Sequence, residues 1–135
     1  MAGIKALEEC FGLSRTMKDL NLSGNQIGDE GVEIVINALS NKKKLSLHTL
    51  GFSNNGITSR GCKLICEFIK KCPYMEELLL SNNEIDNEGA QHLIAALKNK
   101  KQFKNIEIDN NKISGDTLAD LFKILPLKNL NLLKN

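Results

Sequence analysis

Nine-residue blocks recur five times along this chain: MKDLNLSGN at 17–25, LHTLGFSNN at 47–55, MEELLLSNN at 75–83, FKNIEIDNN at 103–111 and LKNLNLLKN at 127–135. Each has apolar residues at its first, fourth and sixth positions and an asparagine at its ninth. The closing asparagines are Asn25, Asn55, Asn83, Asn111 and Asn135, separated by 30, 28, 28 and 24 residues. A period of this length marks a stacked repeat architecture, because one such unit cannot bury its apolar face alone and must share a core with its neighbours.

Within each block the alternation is that of a strand. The fourth and sixth positions, such as Leu78 and Leu80 or Ile106 and Ile108, are expected to face a core. The third and fifth then face the other way: Asp19 and Asn21, Thr49 and Gly51, Glu77 and Leu79, Asn105 and Glu107, Asn129 and Asn131. A sharp turn must follow, and an asparagine amide, offering both donor and acceptor, can satisfy backbone groups that the turn leaves unpaired. The second half of each unit changes period. Val32, Val35, Ile36 and Leu39, then Cys62, Ile65, Cys66 and Ile69, then Ala90, Leu93, Ile94 and Leu97 recur at helical spacing. Asp29, Ser59, Asn87 and Asp86 or Ser114 stand where a helix N-cap is wanted.

The pattern LxxLxLxxN, followed by an apolar residue, a polar pair and G-a-x-x-L-a-x-x-L, resembles the leucine-rich repeat family, in particular the long repeats of the ribonuclease-inhibitor and Ran GTPase-activating type. The resemblance covers almost the whole chain. It implies an α/β solenoid, a short right-handed horseshoe arc with parallel strands on the concave side and helices on the convex side. It also implies a ladder of the five asparagines along the turns. The organisation expected is a single domain: a capping helix of a partial repeat at 1–16, strand-helix repeats at 17–46, 47–74, 75–102 and 103–126, and a terminal strand and turn at 127–135. Glu8 falls where later units place Ile36, Cys66 and Ile94, as suits a wetter capping helix. Pro126 shortens the last connection, and the strand through Leu130 is an edge that could pair with another chain, be shielded by the last helix, or mark a fragment of a longer repeat protein.

Other functional signals are sparse. The net charge of +2 is too small to imply nucleic acid or an anionic membrane as partner. The first residues lack the apolar run of a signal peptide, and no stretch is long enough to span a bilayer, so a cytoplasmic or nuclear location is expected. Cys10, Cys62, Cys66 and Cys72 are scattered, with Cys62 and Cys66 expected as reduced, small core groups rather than metal ligands. His48 and His92 sit in no nucleophile or metal motif, and no phosphate-binding loop is present, so neither catalysis nor a cofactor is expected.

Two surfaces remain as candidates for a protein partner. The concave face carries Asp19, Asn21, Thr49, Glu77, Leu79, Asn105, Glu107 and Asn129, with Ser23, Ser53, Ser81, Asp109 and Leu133 in the next column. Leu79 is its best apolar contact. Lysines that follow the helices, namely Lys42, Lys43, Lys44, Lys70, Lys71, Lys98, Lys100 and Lys101, are expected along one rim, where they match the helices' negative ends. The reading is a noncatalytic protein-binding module. The Ran-activator resemblance adds a small-GTPase regulator as the alternative. A structural subunit of a larger assembly is a further one, to which a more distant similarity to the repeat tail of actin-filament-capping tropomodulins belongs.

Overall fold

The computed structural model describes residues 17–41 and 46–125. The expected capping helix at 1–16, Lys42, Lys43 and Lys44, and the terminal strand with Pro126, Asn129 and Asn135 lie outside the described residues. Three-residue strands β1 (Asp19–Asn21), β2 (Thr49–Gly51), β3 (Glu77–Leu79) and β4 (Asn105–Glu107) alternate with helices α1 (Gly28–Ser40), α2 (Ser59–Ile69), α3 (Asn87–Leu97) and α4 (Gly115–Ile124). The strands form one parallel sheet in chain order, β1-β2-β3-β4. Leu20, Leu50, Leu78 and Ile106 are in register across it. This is a leucine-rich-repeat arc, strands on the concave side and helices on the convex side.

The apolar periodicity builds the core. Leu50, Phe52, Leu78, Leu80, Ile106 and Ile108 are fully buried on the inner side of the sheet, against Val32, Val35, Cys62, Ile65, Ile69, Leu93 and Leu121 from the helices. Full burial stabilises each large side chain by about 1.5–3 kcal/mol. Cys62, Cys66 and Cys72 are buried thiols within this layer. A hydrogen bond with Cys66 and burial push the Cys62 thiol up, and burial pushes Cys72 up to about 11, so both stay protonated and poorly nucleophilic at neutral pH.

Three-residue strands provide few ladder bonds, and asparagines extend the pairing beyond them. Asn83 Oδ1 accepts from the backbone N–H of Asn55 and of Ile57, each at 3.0 Å, while its Nδ2 donates back to Phe52 O at 3.0 Å. It also donates to Leu80 O and Ser81 O of its own repeat. Asn55 does the same toward Asn25, Ile27 and Leu22 O, and Asn111 toward Ile85 and Leu80 O. Each amide thus closes its own turn and clamps the preceding one. The residue just before it adopts a left-handed conformation: Gly24, Asn54, Asn82 and Asn110 have φ of 79, 58, 58 and 56°. Glycine and asparagine tolerate that region best, which explains the first asparagine of each NN pair.

Helix starts match the expectation at Asp86 and Ser114 and differ from it at Asp29, Ser59 and Asn87. Thr58, Asp86 and Ser114 cap α2, α3 and α4, and no side chain caps α1. Asp29, Ser59 and Asn87, one position further on, reach across to the next repeat. Asp29 Oδ1 accepts from Thr58 N and Gly61 N, Ser59 Oγ from Asp86 N and Gly89 N, and Asn87 Oδ1 from Ser114 N. They are already inside the first turn of their own helices, so their own early N–H groups are out of reach, while the neighbour's are aligned by stacking. A Cβ on Gly89 would lie 2.7 Å from Ser59 Oγ and 2.5 Å from Ile85 Cγ2, so the crossing requires glycine there. Thr117 takes the corresponding place in α4, where Asn87 binds Ser114 N instead.

Asn83→Ala should cost about 3 kcal/mol, since it strands several buried backbone groups, whereas Asn82→Ala should cost only about 1 kcal/mol for its left-handed backbone. Chemical denaturation of the two variants checks this, and equal losses would contradict it. The Ser59 hydroxyl, followed by the Gly89 and Glu88 amides, holds the Asp86 carboxyl below its usual range. That contribution is present above the ordinary carboxylate pKa and is lost as pH falls through the depressed one. The destabilisation caused by Ser59→Ala should therefore shrink in melting curves taken at progressively acidic pH.

Candidate functional site

Pleating aims one side chain of every two away from the core, and parallel register lines these up in rows. One row runs Asp19, Thr49, Glu77, Asn105, and the next Asn21, Gly51, Leu79, Glu107. Asp19 and Asn21 are exposed, and Thr49, Glu77, Leu79, Asn105 and Glu107 are half-buried. Leu79 is thus less open than a free surface leucine, being set between neighbouring side chains. Gly51 is buried, because the Asn21 side chain lies where a Cβ would project.

The serine column is not an offered surface. Ser53 and Ser81 are buried, and two of the serine oxygens accept the amide of the next repeat, Ser23 from Ser53 N and Ser53 from Ser81 N, both at 3.0 Å. The Ser81 hydroxyl donates to Asp109. Small hydroxyls sit close enough to the backbone to serve the neighbouring turn, which the alternation pattern alone does not reveal.

Negative charge collects at the β3–β4 end. Glu77 Oε2 accepts from Asn105 Nδ2 at 2.8 Å, and Asn105 Oδ1 is buried without a partner. Burial, with Glu77 and Asp109 adding repulsion, raises the Glu107 carboxyl above its ordinary value. Among the described residues no lysine or arginine forms an ion pair with Asp19, Glu77, Glu107 or Asp109.

The rim is only partly a row of free cations. Lys70, Lys71, Lys98 and Lys101 are exposed, with Lys70 and Lys98 closing α2 and α3. Lys100 departs from the expected row: its Nζ donates to Cys72 O at 2.8 Å, and burial lowers its pKa. The orphan carbonyl after α2 draws it inward. Gln102 likewise binds Pro73 O, joining the two loops. Sequence reasoning missed Tyr74, 56% exposed in the same rim, whose ring lies 6.2 Å from that of His48. His48 is 3.9 Å from Glu76, which also pairs with Lys104 at 3.3 Å. For its neighbours the signal was the second position of each block, Lys18, His48, Glu76 and Lys104, which the core-facing periodicity leaves unread.

Among the described residues no group of His, Cys, Asp and Glu could hold a metal ion, and no helix is long and apolar enough to cross a membrane.

The chain belongs to the leucine-rich repeat family: the Leucine Rich repeat family model matches residues 13–33, 43–66 and 71–93. It is 32% identical over 77 residues, 55% of its length, to Protein NLRC5 of Mus musculus, and spans 4% of that relative's length. Among solved structures, Leiomodin-1 Actin-Binding Site 2 matches with a TM-score of 0.74 at 16% identity, over 95% of this chain and 77% of the other. The tropomodulin C-terminal domain of Caenorhabditis elegans matches at 0.76 and 14% identity, over 96% and 81%. At these identities the likeness is one of fold.

Because Glu107 has a raised pKa, its ionised form costs stability above that value, and the cost vanishes as pH falls through it. Glu107→Gln should raise the melting temperature at neutral pH, with the gain disappearing in acid. A gain that persists at low pH would exclude a charge origin.

Proposed function

We propose that this chain is a noncatalytic protein-interaction module whose concave sheet face engages a protein partner. The observation that carries the reading is the outward side of the β1–β4 sheet, where Asp19, Asn21, Thr49, Glu77, Leu79, Asn105 and Glu107 stand in rows with no helix over them among the described residues. A surface of aligned side chains on a rigid, core-backed sheet loses little conformational entropy on binding, which favours recognition over chemistry. Leu79 supplies the apolar contact and the surrounding polar groups supply orientation. The exposed lysines Lys70, Lys71, Lys98 and Lys101 tune the encounter rate through their field rather than holding the complex. That the leiomodin-1 segment of like fold is an actin-binding site supports partner binding on this fold, without selecting a partner for this chain.

The test is affinity capture from the native cell with the wild-type chain and two folded variants. One carries Glu77→Lys and Leu79→Asp, the other serine at Lys70, Lys71, Lys98 and Lys101. Capture should be lost with the first and retained, with altered salt dependence, by the second. Retention by the concave variant with loss by the rim variant would move the site to the rim.

A further inference from the structure

The concave face has a charge sign opposite to that of the chain as a whole. The net charge is +2, yet the outward positions of β1–β4 hold Asp19, Glu77 and Glu107 and no lysine or arginine, and Asp109 lies in the next column. The basic residues next to these strands, Lys18 and Lys104, sit at strand entrances, and Lys104 is engaged by Glu76. Glu77 precedes Leu79 by two positions on the same face of β3, and Glu107 is the register partner of Leu79 on β4. Leu79 is therefore an apolar spot with a carboxylate on two sides, beside Gly51, which presents no side chain of its own.

Resting on the reading of this face as the interaction surface, we infer that the partner presents a basic segment, with an arginine whose methylene stem crosses Leu79 and whose guanidinium meets Glu77 and Glu107. An arginine side chain combines an apolar stem with a planar fork of donors, which matches a leucine flanked by carboxylates. A lysine would neutralise charge with a single compact head and leave one carboxylate less well served. Burial, and then crowding of like charge by Glu77 and Asp109, already disfavours the ionised form of Glu107, and an incoming cation relieves that crowding. An acidic segment or a phosphate backbone meets the same carboxylates as repulsion.

The experiment selects peptides from a displayed random-peptide library on the wild-type chain, then measures the winners on a Glu77→Gln, Glu107→Gln variant, on Leu79→Asp and on the rim-lysine variant. The expected winners place arginine beside apolar residues, lose about tenfold or more in affinity on the glutamine variant, and are unaffected by rim changes. Winners that depend on Leu79 but carry no basic residues overturn the arginine assignment while leaving concave binding intact. Winners indifferent to Leu79, Glu77 and Glu107 overturn both readings. Absence of any enriched basic sequence counts against the inference. So does concentration-dependent self-association in light scattering that the glutamine variant abolishes, since the occupant would then be a second copy's lysines.

Discussion

The asparagine amide at the end of each strand is the interaction on which the stack depends. Strands of only three residues leave the turns beyond them with N–H and C=O groups that the strand ladder does not pair. Asn55, Asn83 and Asn111 reach back to the preceding turn through both ends of the amide, so that one side chain satisfies donors and acceptors of two repeats. A hydrophobic layer would hold the repeats together without fixing their relative height, whereas a bifurcated amide fixes the height as well.

A second set of crossings works at the opposite end of each connection. Asp29, Ser59 and Asn87 each satisfy the helix start of the following repeat, while the amide ladder satisfies the turn of the preceding one. Each repeat is thus bonded through side chains in both directions along the arc. With cohesion supplied by the buried layer and these two columns, the outward row of the sheet is free to be acidic. Glu77, Glu107 and Asp109 could not gather at a place where the fold needed apolar packing; burial first, with repulsion from Glu77 and Asp109 added, raises the Glu107 pKa, so its charge opposes folding rather than assisting it.

The strand and helix order, the core residues and the turn asparagines were legible because period-two and period-3.6 patterns are properties of the chain itself. Leu78 facing inward and Leu79 outward follow from alternation alone. What the pattern could not show were the crossings between repeats. Ser59 and Asn87 read as caps because they are polar at a helix start, yet stacking places the next helix's amides nearer than their own. Ser53 and Ser81 read as surface for the same reason, and Lys100 read as a rim cation, although the Cys72 carbonyl holds it. Tyr74 carries no periodic signal and so gave none.

The claim that side-chain amides hold the turns is tested most directly by native-state hydrogen exchange of the Asn55, Ile57 and Ile85 amides, all of which donate to a neighbouring repeat's asparagine. If the ladder couples the repeats, these amides exchange only through the same opening that releases the buried strands, with protection equal to that of amides in β2 and β3. Exchange at the rate of free, solvent-exposed amides would show that the asparagines decorate the turns rather than clamp them.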